Sequence, residues 1–204
     1  MKRRGYLKKA GALGVALILV LSASPDGAAD PQSTKVLVTY HSVTGHTEKV
    51  AQGVAAGAGA VPATSVVLKR VGEVTGDDLL SSHAVIVGSP VYFGNMSGEV
   101  KTFFDSWNLK FGFQVRDRKM RNKVGGAFAT GGSASNGKEL TMITILGAML
   151  LNQMIVVSGG GGFGASATTG PDSPGIDEKE LTEARDLGKR VAEIAAVVKR
   201  GSGQ

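Results

Sequence analysis

The chain has 204 residues, of which 42% are hydrophobic and 20% are charged. This length fits one domain with a sizeable core, and this composition excludes both a disordered tail and a polytopic membrane protein. The sequence contains no cysteine, which excludes disulfides, thiolate metal ligands and a cysteine nucleophile. The formal net charge is +6, and part of the positive excess lies at the amino terminus.

The first thirty residues have the layout of an export signal. A basic head is followed by an apolar run at 10–23 and by small residues that suit cleavage. The run is shorter than the roughly 18–20 residues of a membrane-spanning helix. We therefore predict a signal and linker at residues 1–30 and a single domain at 31–204. An uncleaved signal that tethers the protein to the membrane is the alternative. The basic residues are Lys2, Arg3, Arg4, Lys8 and Lys9.

Residues 3–8, Arg-Arg-Gly-Tyr-Leu-Lys, resemble a twin-arginine signal, in which bulky residues follow the arginine pair. That resemblance implies export of a protein that folds, often with its cofactor, before it crosses the membrane. The expected location is then periplasmic or otherwise extracytoplasmic. A general secretory signal whose two arginines have no special role is the other interpretation.

The charge of the predicted mature chain argues against nucleic-acid binding. Residues 1–30 contain five Lys or Arg and two Asp or Glu, which leaves 18 basic and 15 acidic residues in the remainder. The net charge of that remainder is +3. Such a mild excess does not form the strongly basic surface that nucleic acids require.

Apolar runs and amphipathic stretches alternate along the rest of the chain. Strands are predicted at residues 35–40, 63–69, 83–88, 124–130 and 154–158. Helices are predicted at residues 48–58, 75–80, 97–107, 138–153 and 177–200. This alternation predicts an α/β fold, a flavodoxin-like doubly wound five-stranded parallel sheet of order 2-1-3-4-5 with helices on both faces. Ligands of such sheets bind at the carboxyl ends of the strands, near strands one and three.

The turn between the first strand and the first helix has the composition of a phosphate-binding loop. Backbone N–H groups and the positive end of the helix dipole meet there, hydroxyls add donors, and Gly45 permits close approach of a ligand. The turn lacks both the Gly-x-x-x-x-Gly-Lys-Ser/Thr and the Gly-x-Gly-x-x-Gly patterns, so it favours a single phosphate monoester. An ordinary helix cap is the alternative. The predicted phosphate-binding residues are Ser42, Val43, Thr44, Gly45, His46 and Thr47.

The turns after the third and fourth strands are also unusual. The first carries two aromatic side chains, which need either a flat group to cover or a helix to pack beneath. The second consists of small residues whose N–H groups can hold a carbonyl-like oxygen, and a flexible surface loop is the alternative. Because these turns meet the first one at one edge of the predicted sheet, a single ligand site is favoured. The predicted lining is Pro90, Val91, Tyr92, Phe93, Gly94 and Asn95 in one turn, and Thr130, Gly131, Gly132 and Ser133 in the other.

Two of these segments resemble known families. The pattern Ser-x-Thr-Gly-x-Thr at 42–47 resembles the loop that holds the FMN phosphate in flavodoxins. Residues 88–105, Gly-Ser-Pro-Val-Tyr-Phe-Gly-Asn-Met-Ser-Gly-Glu-Val-Lys-Thr-Phe-Phe-Asp, resemble the corresponding segment of WrbA-type NAD(P)H:quinone oxidoreductases, and the likeness extends over 35–200. The resemblance implies that residues 42–47 hold the FMN phosphate, residues 90–95 line the isoalloxazine ring and residues 130–133 meet its pyrimidine side.

The resemblance also implies a function. Members of this family use FMN to transfer electrons from NAD(P)H to quinones, so a nicotinamide nucleotide and a small quinone are the expected partners. No pair of carboxylates and no Gly-x-Ser-x-Gly pattern nominates a catalytic side chain, which suits a protein whose cofactor performs the chemistry. A flavodoxin-type electron carrier without catalysis of its own is the alternative. Carriers tend to be acidic, however, and the predicted mature chain is slightly basic.

Two positions depart from the family pattern. The family usually has Arg where Val91 and Tyr92 precede Phe93, so a contact near the ring differs here. It also tends to have a histidine close to the flavin where this chain has Asn152. Tyr92 and Asn152 are therefore the candidates for contact with the substrate.

Four further features have less specific interpretations. His41 and His46 lack the accompanying carboxylates that a metal site needs, so none is predicted. The stretch at 159–164 contains Gly-x-Gly-x-x-Gly, but no helix follows it, so we predict a loop and not a dinucleotide site. The basic run at 116–123 fits attraction of the extra NADPH phosphate or of an anionic substrate, and a solvated connection is the alternative. The helical stretch at 140–151 is apolar nearly all round, which suits a core helix or a contact with a second copy of the chain, and we expect a homo-oligomer.

Overall fold

The computed structural model of the protein describes residues 33–159, 161–170 and 175–202. The predicted export signal at residues 1–30 lies outside this part of the chain. Among the helices that the structure describes, none combines the length and the apolar character needed to cross a membrane.

The centre of the fold is a seven-stranded sheet whose strands are mostly parallel. The strands are β1 (Thr34–Tyr40), β2 (Thr64–Arg70), β3 (Ala84–Tyr92), β4 (Asn95–Met96), β5 (Val124–Gly131), β6 (Ile155–Val156) and β7 (Ala165–Thr168). The main path through the sheet is β2-β1-β3-β5-β6, while β4 pairs with β3 and β7 pairs with β5. Because β4 is a short addition, this path is the predicted order 2-1-3-4-5, and the flavodoxin-like sheet is confirmed.

The fifth position of the sheet differs most from the prediction. The predicted strand at 154–158 is reduced to two residues, and the chain leaves the sheet before it returns as β7. Both segments pair in parallel with β5, since Val124 lies opposite Ile155 and Phe128 lies opposite Ala165. The predicted strand at 154–158 is therefore wrong in length, and glycines, which weaken a strand, are frequent after Ser158. The predicted loop at 159–164 is confirmed for the residues that the structure describes.

Helices cover both faces of the sheet, as predicted. They are α1 (His46–Gly59), α2 (Gly76–Ser81), α3 (Gly98–Leu109), α4 (Lys138–Leu151) and α5 (Glu178–Ser202), with short 3₁₀ turns at Val71–Glu73 and Val115–Asp117. Alternation along β1 explains the two layers: Val36 and Val38 join a core with α1 and α5, whereas Leu37 joins a core with α2, α3 and α4. Helices α1 and α5 approach closely because a Cβ added at Gly57 or Gly188 would lie 1.9 Å from a backbone oxygen of the other helix.

Strand β3 extends four residues further than predicted. The sequence predicts its end at Gly88 and then a turn, but the strand continues to Tyr92 and pairs in antiparallel with β4. Phe93 and Gly94 form the two-residue connection, with φ angles of 49° and 82°. Positive φ at both positions is the conformation of a type I′ hairpin turn. The predicted turn is therefore a hairpin that projects from the carboxyl edge of the sheet.

Candidate functional site

The turn between β1 and α1 leaves the start of the helix open to an anion. Gly45 is the N-cap residue, has a φ of 85°, and contributes no side-chain cap. The first N–H groups of a helix have no intrahelical partner and lie at its positive end. Within the turn, Ser42 Oγ accepts a hydrogen bond from Gly45 N at 3.1 Å, and Thr44 Oγ1 lies 3.0 Å from His46 Nδ1. The alternative of an ordinary side-chain cap is therefore wrong.

A guanidinium group holds this turn from the side of β2. Arg70 donates one hydrogen bond to the Ser42 carbonyl (2.7 Å) and another to the Glu48 carboxylate (2.6 Å), and it lies 5.5 Å above the ring of Tyr40. Burial and the nearby Glu48 raise the pKa of Tyr40. These contacts fix the backbone of the turn and place a positive charge beside it. Sequence reasoning missed Arg70, because only the pairing of β2 with β1 brings it next to the turn.

The hairpin between β3 and β4 exposes two aromatic side chains. Tyr92 is 44% exposed, and Phe93 at the tip is fully exposed. A positive φ is uncommon for so bulky a residue, so the surrounding structure has to support the tip. Asn95 gives part of this support, since its Oδ1 accepts hydrogen bonds from Met96 N (2.8 Å) and from the Thr144 hydroxyl (2.7 Å). The alternative that both aromatics pack beneath the next helix does not hold for Phe93.

A buried lysine supports the small-residue turn after β5. Lys138, the first residue of α4, is only 4% exposed. Its Nζ donates to the carbonyls of Ser133 (2.7 Å) and Ala134 (3.2 Å) and to the Thr168 hydroxyl (3.1 Å). The lysine therefore ties this turn to the end of β7. Sequence reasoning missed Lys138, because lysine is rarely buried and at a helix start is expected in solvent.

The segment after β7 is a further part of the site that the sequence did not indicate. Thr169 N donates a hydrogen bond to the Gly131 carbonyl at 2.9 Å. A Cβ added at Gly170 would lie 1.7 Å from the carbonyl oxygen of Gly132, so the two backbones are in direct contact. Only a residue without a side chain fits there, and the turn after β5 is thereby supported from behind.

Two direct contacts bring the three predicted turns together. The hydroxyls of Thr47 and Thr130 lie 2.8 Å apart in a buried position, which joins the turn after β1 to the turn after β5. A Cβ added at Gly137 would lie 2.5 Å from the carbonyl oxygen of Gly94, so the hairpin packs on the start of α4. The residues predicted from the three turns therefore lie together at the carboxyl edge of the sheet.

A cavity of about 840 Å³ adjoins the first turn on the side of α3. Two of the predicted residues, Ser42 and Tyr92, line it, whereas the turn at 130–133 does not. The imidazole of His41 also lines it, lies 3.0 Å from the Glu99 carboxylate, and meets the Tyr92 ring edge-on at a centroid distance of 6.3 Å. The apolar part of the lining is Val71, Val74, Phe103 and Phe111. In the part of the chain that the structure describes, no group of three or more His, Cys, Asp or Glu could hold a metal ion.

Asn152 lies far from the turn at 130–133. Asn152 is the C-cap of α4, and its side-chain amide donates to the Ala148 carbonyl at 2.9 Å. The turn at 130–133 meets the opposite end of this 14-residue helix, about 20 Å away at 1.5 Å per residue. Asn95 of the hairpin, however, lines the same cavity of about 660 Å³ as Asn152. That Asn152 contacts the substrate therefore stays a prediction.

The basic run at 116–123 lies at the opposite edge of the sheet. Lys123 directly precedes β5, and the turn at 130–133 follows the carboxyl end of the same strand. The eight residues of β5 separate the two by about 25 Å. The interpretation that this run attracts the extra phosphate of NADPH to the predicted site is therefore wrong.

Comparisons with known proteins agree with this geometry. Residues 73–168 match the family described as NADPH-dependent FMN reductase. The chain is 34% identical over 200 residues to a Chromohalobacter salexigens protein named NAD(P)H dehydrogenase (quinone), with 80% of this chain and 98% of that protein covered.

Solved structures extend the comparison to the fold. The WrbA-like flavodoxin of Agrobacterium tumefaciens has a TM-score of 0.69 and 28% identity, over 82% of this chain and 100% of that one. Flavodoxin 2 of Bacillus cereus has a TM-score of 0.61 and 21% identity, over 79% of this chain and 99% of that one. The protein is thus a flavodoxin-like α/β protein. Within that class it belongs to the WrbA-type NAD(P)H:quinone oxidoreductase family.

Proposed function

We propose that this protein is an FMN-dependent oxidoreductase that transfers two electrons from NAD(P)H to quinones. The observation that carries the proposal is the meeting of three turns of different chemistry at one sheet edge. One turn offers an uncapped helix start, one an aromatic hairpin, and one a backbone of small residues. A phosphate, a flat ring and a ring carbonyl are the corresponding parts of FMN.

The first turn suits the phosphate group. The start of α1 supplies backbone N–H donors, and Ser42 and Thr47 supply hydroxyls. Arg70 holds the backbone of the turn and contributes positive charge next to it. The phosphate would therefore be bound by neutral donors with one guanidinium nearby, and no lysine is needed in the turn.

The hairpin and the small-residue turn suit the ring system. Tyr92 and Phe93 expose aromatic surface to solvent. A flat apolar group that covers this surface would remove it from water, which is favourable. FMN, when bound, supplies the redox chemistry between a nicotinamide and a quinone. The N–H groups of residues 130–133, backed by the ammonium group of Lys138, would stabilise negative charge on the pyrimidine side of the ring.

Absorbance spectroscopy and steady-state kinetics of the purified protein test this proposal. Added FMN should give protein-bound flavin bands, riboflavin should bind much more weakly, and the FMN-loaded protein should oxidise NADH or NADPH only when a small quinone is present. A carrier would instead accumulate a one-electron-reduced flavin during reductive titration and would not oxidise NAD(P)H. Failure to bind any flavin would contradict both functions.

We also propose that the protein is exported through its amino-terminal segment. The basic head, the short apolar run and the twin-arginine-like sequence at 3–8 support this location. Cell fractionation of the R3K/R4K variant tests the route. Retention of that variant in the cytoplasm is expected, and unchanged export would indicate a general secretory signal.

The outer face of α4 supports a homo-oligomer. Met142, Ile145 and Met149 are buried in the core, so this helix has one core face and one exposed apolar face. The exposed apolar residues, which are between 43% and 66% accessible, are Leu140, Ile143, Leu150 and Leu151. Contiguous apolar surface of this kind is typical of protein interfaces. Sedimentation velocity should therefore give a mass above that of one chain.

A further inference from the structure

A second cavity, of about 390 Å³, lies at the amino edge of the sheet, opposite the proposed FMN site. The loop before β3, the loop before β5 and the last turns of α5 form its walls. Four of the lining residues are Lys or Arg, and none is Asp or Glu. The polar lining residues are Ser82, His83, Lys119, Arg121, Asn122, Lys123, Lys199 and Ser202.

Two of these lysines donate hydrogen bonds to backbone carbonyls. Lys123 Nζ donates to the carbonyls of Leu80 (2.8 Å) and Ser82, at the end of α2. Lys199 Nζ donates to the Ser33 carbonyl at 3.0 Å. Carbonyl oxygens satisfy donors but carry no net negative charge. The ammonium group of Lys123 therefore adds to the positive potential of the cavity.

Lys119 and Arg121 differ from these lysines. Within residues 33–159, 161–170 and 175–202, the structure gives their side chains no hydrogen bond and no ion pair, although both line the cavity. An arginine side chain offers five donors in a planar fork and a lysine offers three, which is the donor set of sites for phosphate groups. The N–H donors of these two side chains are therefore available to bind an anion.

The neutral imidazole of His83 adds one hydrogen-bond donor to the cavity, its Nε2–H group. Its Nδ1 accepts a hydrogen bond from Lys35 N at 2.9 Å, so the ring proton of the neutral form is on Nε2. Burial, followed by the charges of Lys199, Lys123 and Lys35, lowers the pKa of His83. Burial also lowers the pKa of Lys123 to about 8. In both cases burial is the main cause, because it disfavours the charged form.

We propose that this cavity binds a phosphate-bearing anion with two or more negative charges, held mainly by Lys119, Arg121 and His83. The volume lies in the range of small-molecule sites and is larger than one phosphate group needs. Leu80, Ala195 and Val198 give the cavity an apolar wall, so the anion has room for a further organic part. A soluble phosphoanion and the headgroup of an anionic phospholipid share this chemistry.

NMR titration of the FMN-saturated protein with pyrophosphate tests the proposal. FMN first fills the turn at 42–47, which also suits phosphate. Pyrophosphate should then shift the ring signals of His83 and raise its pKa, because added negative charge favours the imidazolium form. The signals of His41 and His46 beside the FMN site should stay unchanged, and the H83Q variant assigns the signal.

Charge-matched variants locate the site. Lys119→Gln/Arg121→Gln should weaken pyrophosphate binding by about tenfold or more, since two charge-assisted contacts are lost. Lys179→Gln/Lys189→Gln removes the same charge from exposed positions on α5 and should leave the affinity unchanged. An equal loss in both variants would show a general charge effect and overturn the proposal.

Vesicle sedimentation separates the two sources of the anion. Vesicles of phosphatidylglycerol and of phosphatidylcholine are compared, with and without the Lys119→Gln/Arg121→Gln change. Binding to phosphatidylglycerol alone, lost in that variant, would identify a lipid headgroup even if pyrophosphate binds poorly. If neither pyrophosphate nor phosphatidylglycerol vesicles bind the unaltered protein, the proposal is wrong.

Discussion

Replacing Ser42 by Ala together with Thr47 by Val should weaken FMN binding by about 100-fold or more and leave riboflavin binding nearly unchanged. Each substitution removes a hydroxyl from the turn in which the start of α1 receives the phosphate. A hydrogen bond to a charged group contributes about 1.5–3 kcal/mol, and about 1.4 kcal/mol corresponds to a tenfold change in affinity. Fluorescence titration with the two flavins measures the difference, because only FMN carries the phosphate.

The matched control is Thr64→Val/Ser65→Ala, which removes the same two kinds of hydroxyl from β2. These residues pair with the first residues of β1, at the opposite edge of the sheet from the turn. FMN binding by this control should equal that of the unaltered protein. If Ser42→Ala/Thr47→Val lowered the affinities for FMN and riboflavin equally, the turn would not be the phosphate site. Thermal unfolding checks that loss of the hydrogen bond between Thr47 and Thr130 has not disordered the turns.

The parts of the fold that sequence predicts well are those that local chemistry determines. The continuous apolar run of β3 is typical of a strand covered on both faces, and such a strand was predicted there. The phosphate turn was recognisable because hydroxyls and a glycine stand between a strand and a helix. A ligand edge could be inferred from topology alone, since parallel strands end together. The contacts of Thr47 with Thr130 and of Gly137 with Gly94 confirm that inference.

The parts that sequence does not predict are those that depend on tertiary pairing. Segment β7, Ala-Ser-Ala-Thr, has neither the length nor the apolar character of a strand, and it is one only because β5 offers a free edge. Arg70 and Lys138 appear as ordinary surface charges until β2 pairs with β1 and α4 packs on its turn. The basic run at 116–123 is different, because its position directly before a strand already places it at the amino edge. Chain direction alone could have corrected that interpretation.

Replacing Gly137 by Ala should disrupt the site through both strain and a steric clash. Gly137 has a φ of 96°, and an added Cβ would lie 2.5 Å from the carbonyl oxygen of Gly94. A left-handed conformation costs a residue with a Cβ about 1–2 kcal/mol, and overpacking typically costs about 1–3 kcal/mol more. We therefore expect a loss of about 2–5 kcal/mol in the free energy of unfolding, together with weaker binding of both FMN and riboflavin.

Gly147 provides the control, because it lies in the same helix with no atom within 4 Å of an added Cβ. Gly147→Ala should raise stability by up to about 1 kcal/mol, since alanine favours a helix over glycine. Chemical denaturation of the two variants separates the contributions of helix propensity and of contact with the hairpin. If Gly137→Ala and Gly147→Ala had similar stability and flavin affinity, the hairpin would not need the start of α4 as its support. We expect Gly137→Ala to weaken binding of both FMN and riboflavin, and Ser42→Ala/Thr47→Val to weaken binding of FMN alone. This difference would separate placement of the ring from binding of the phosphate within one site.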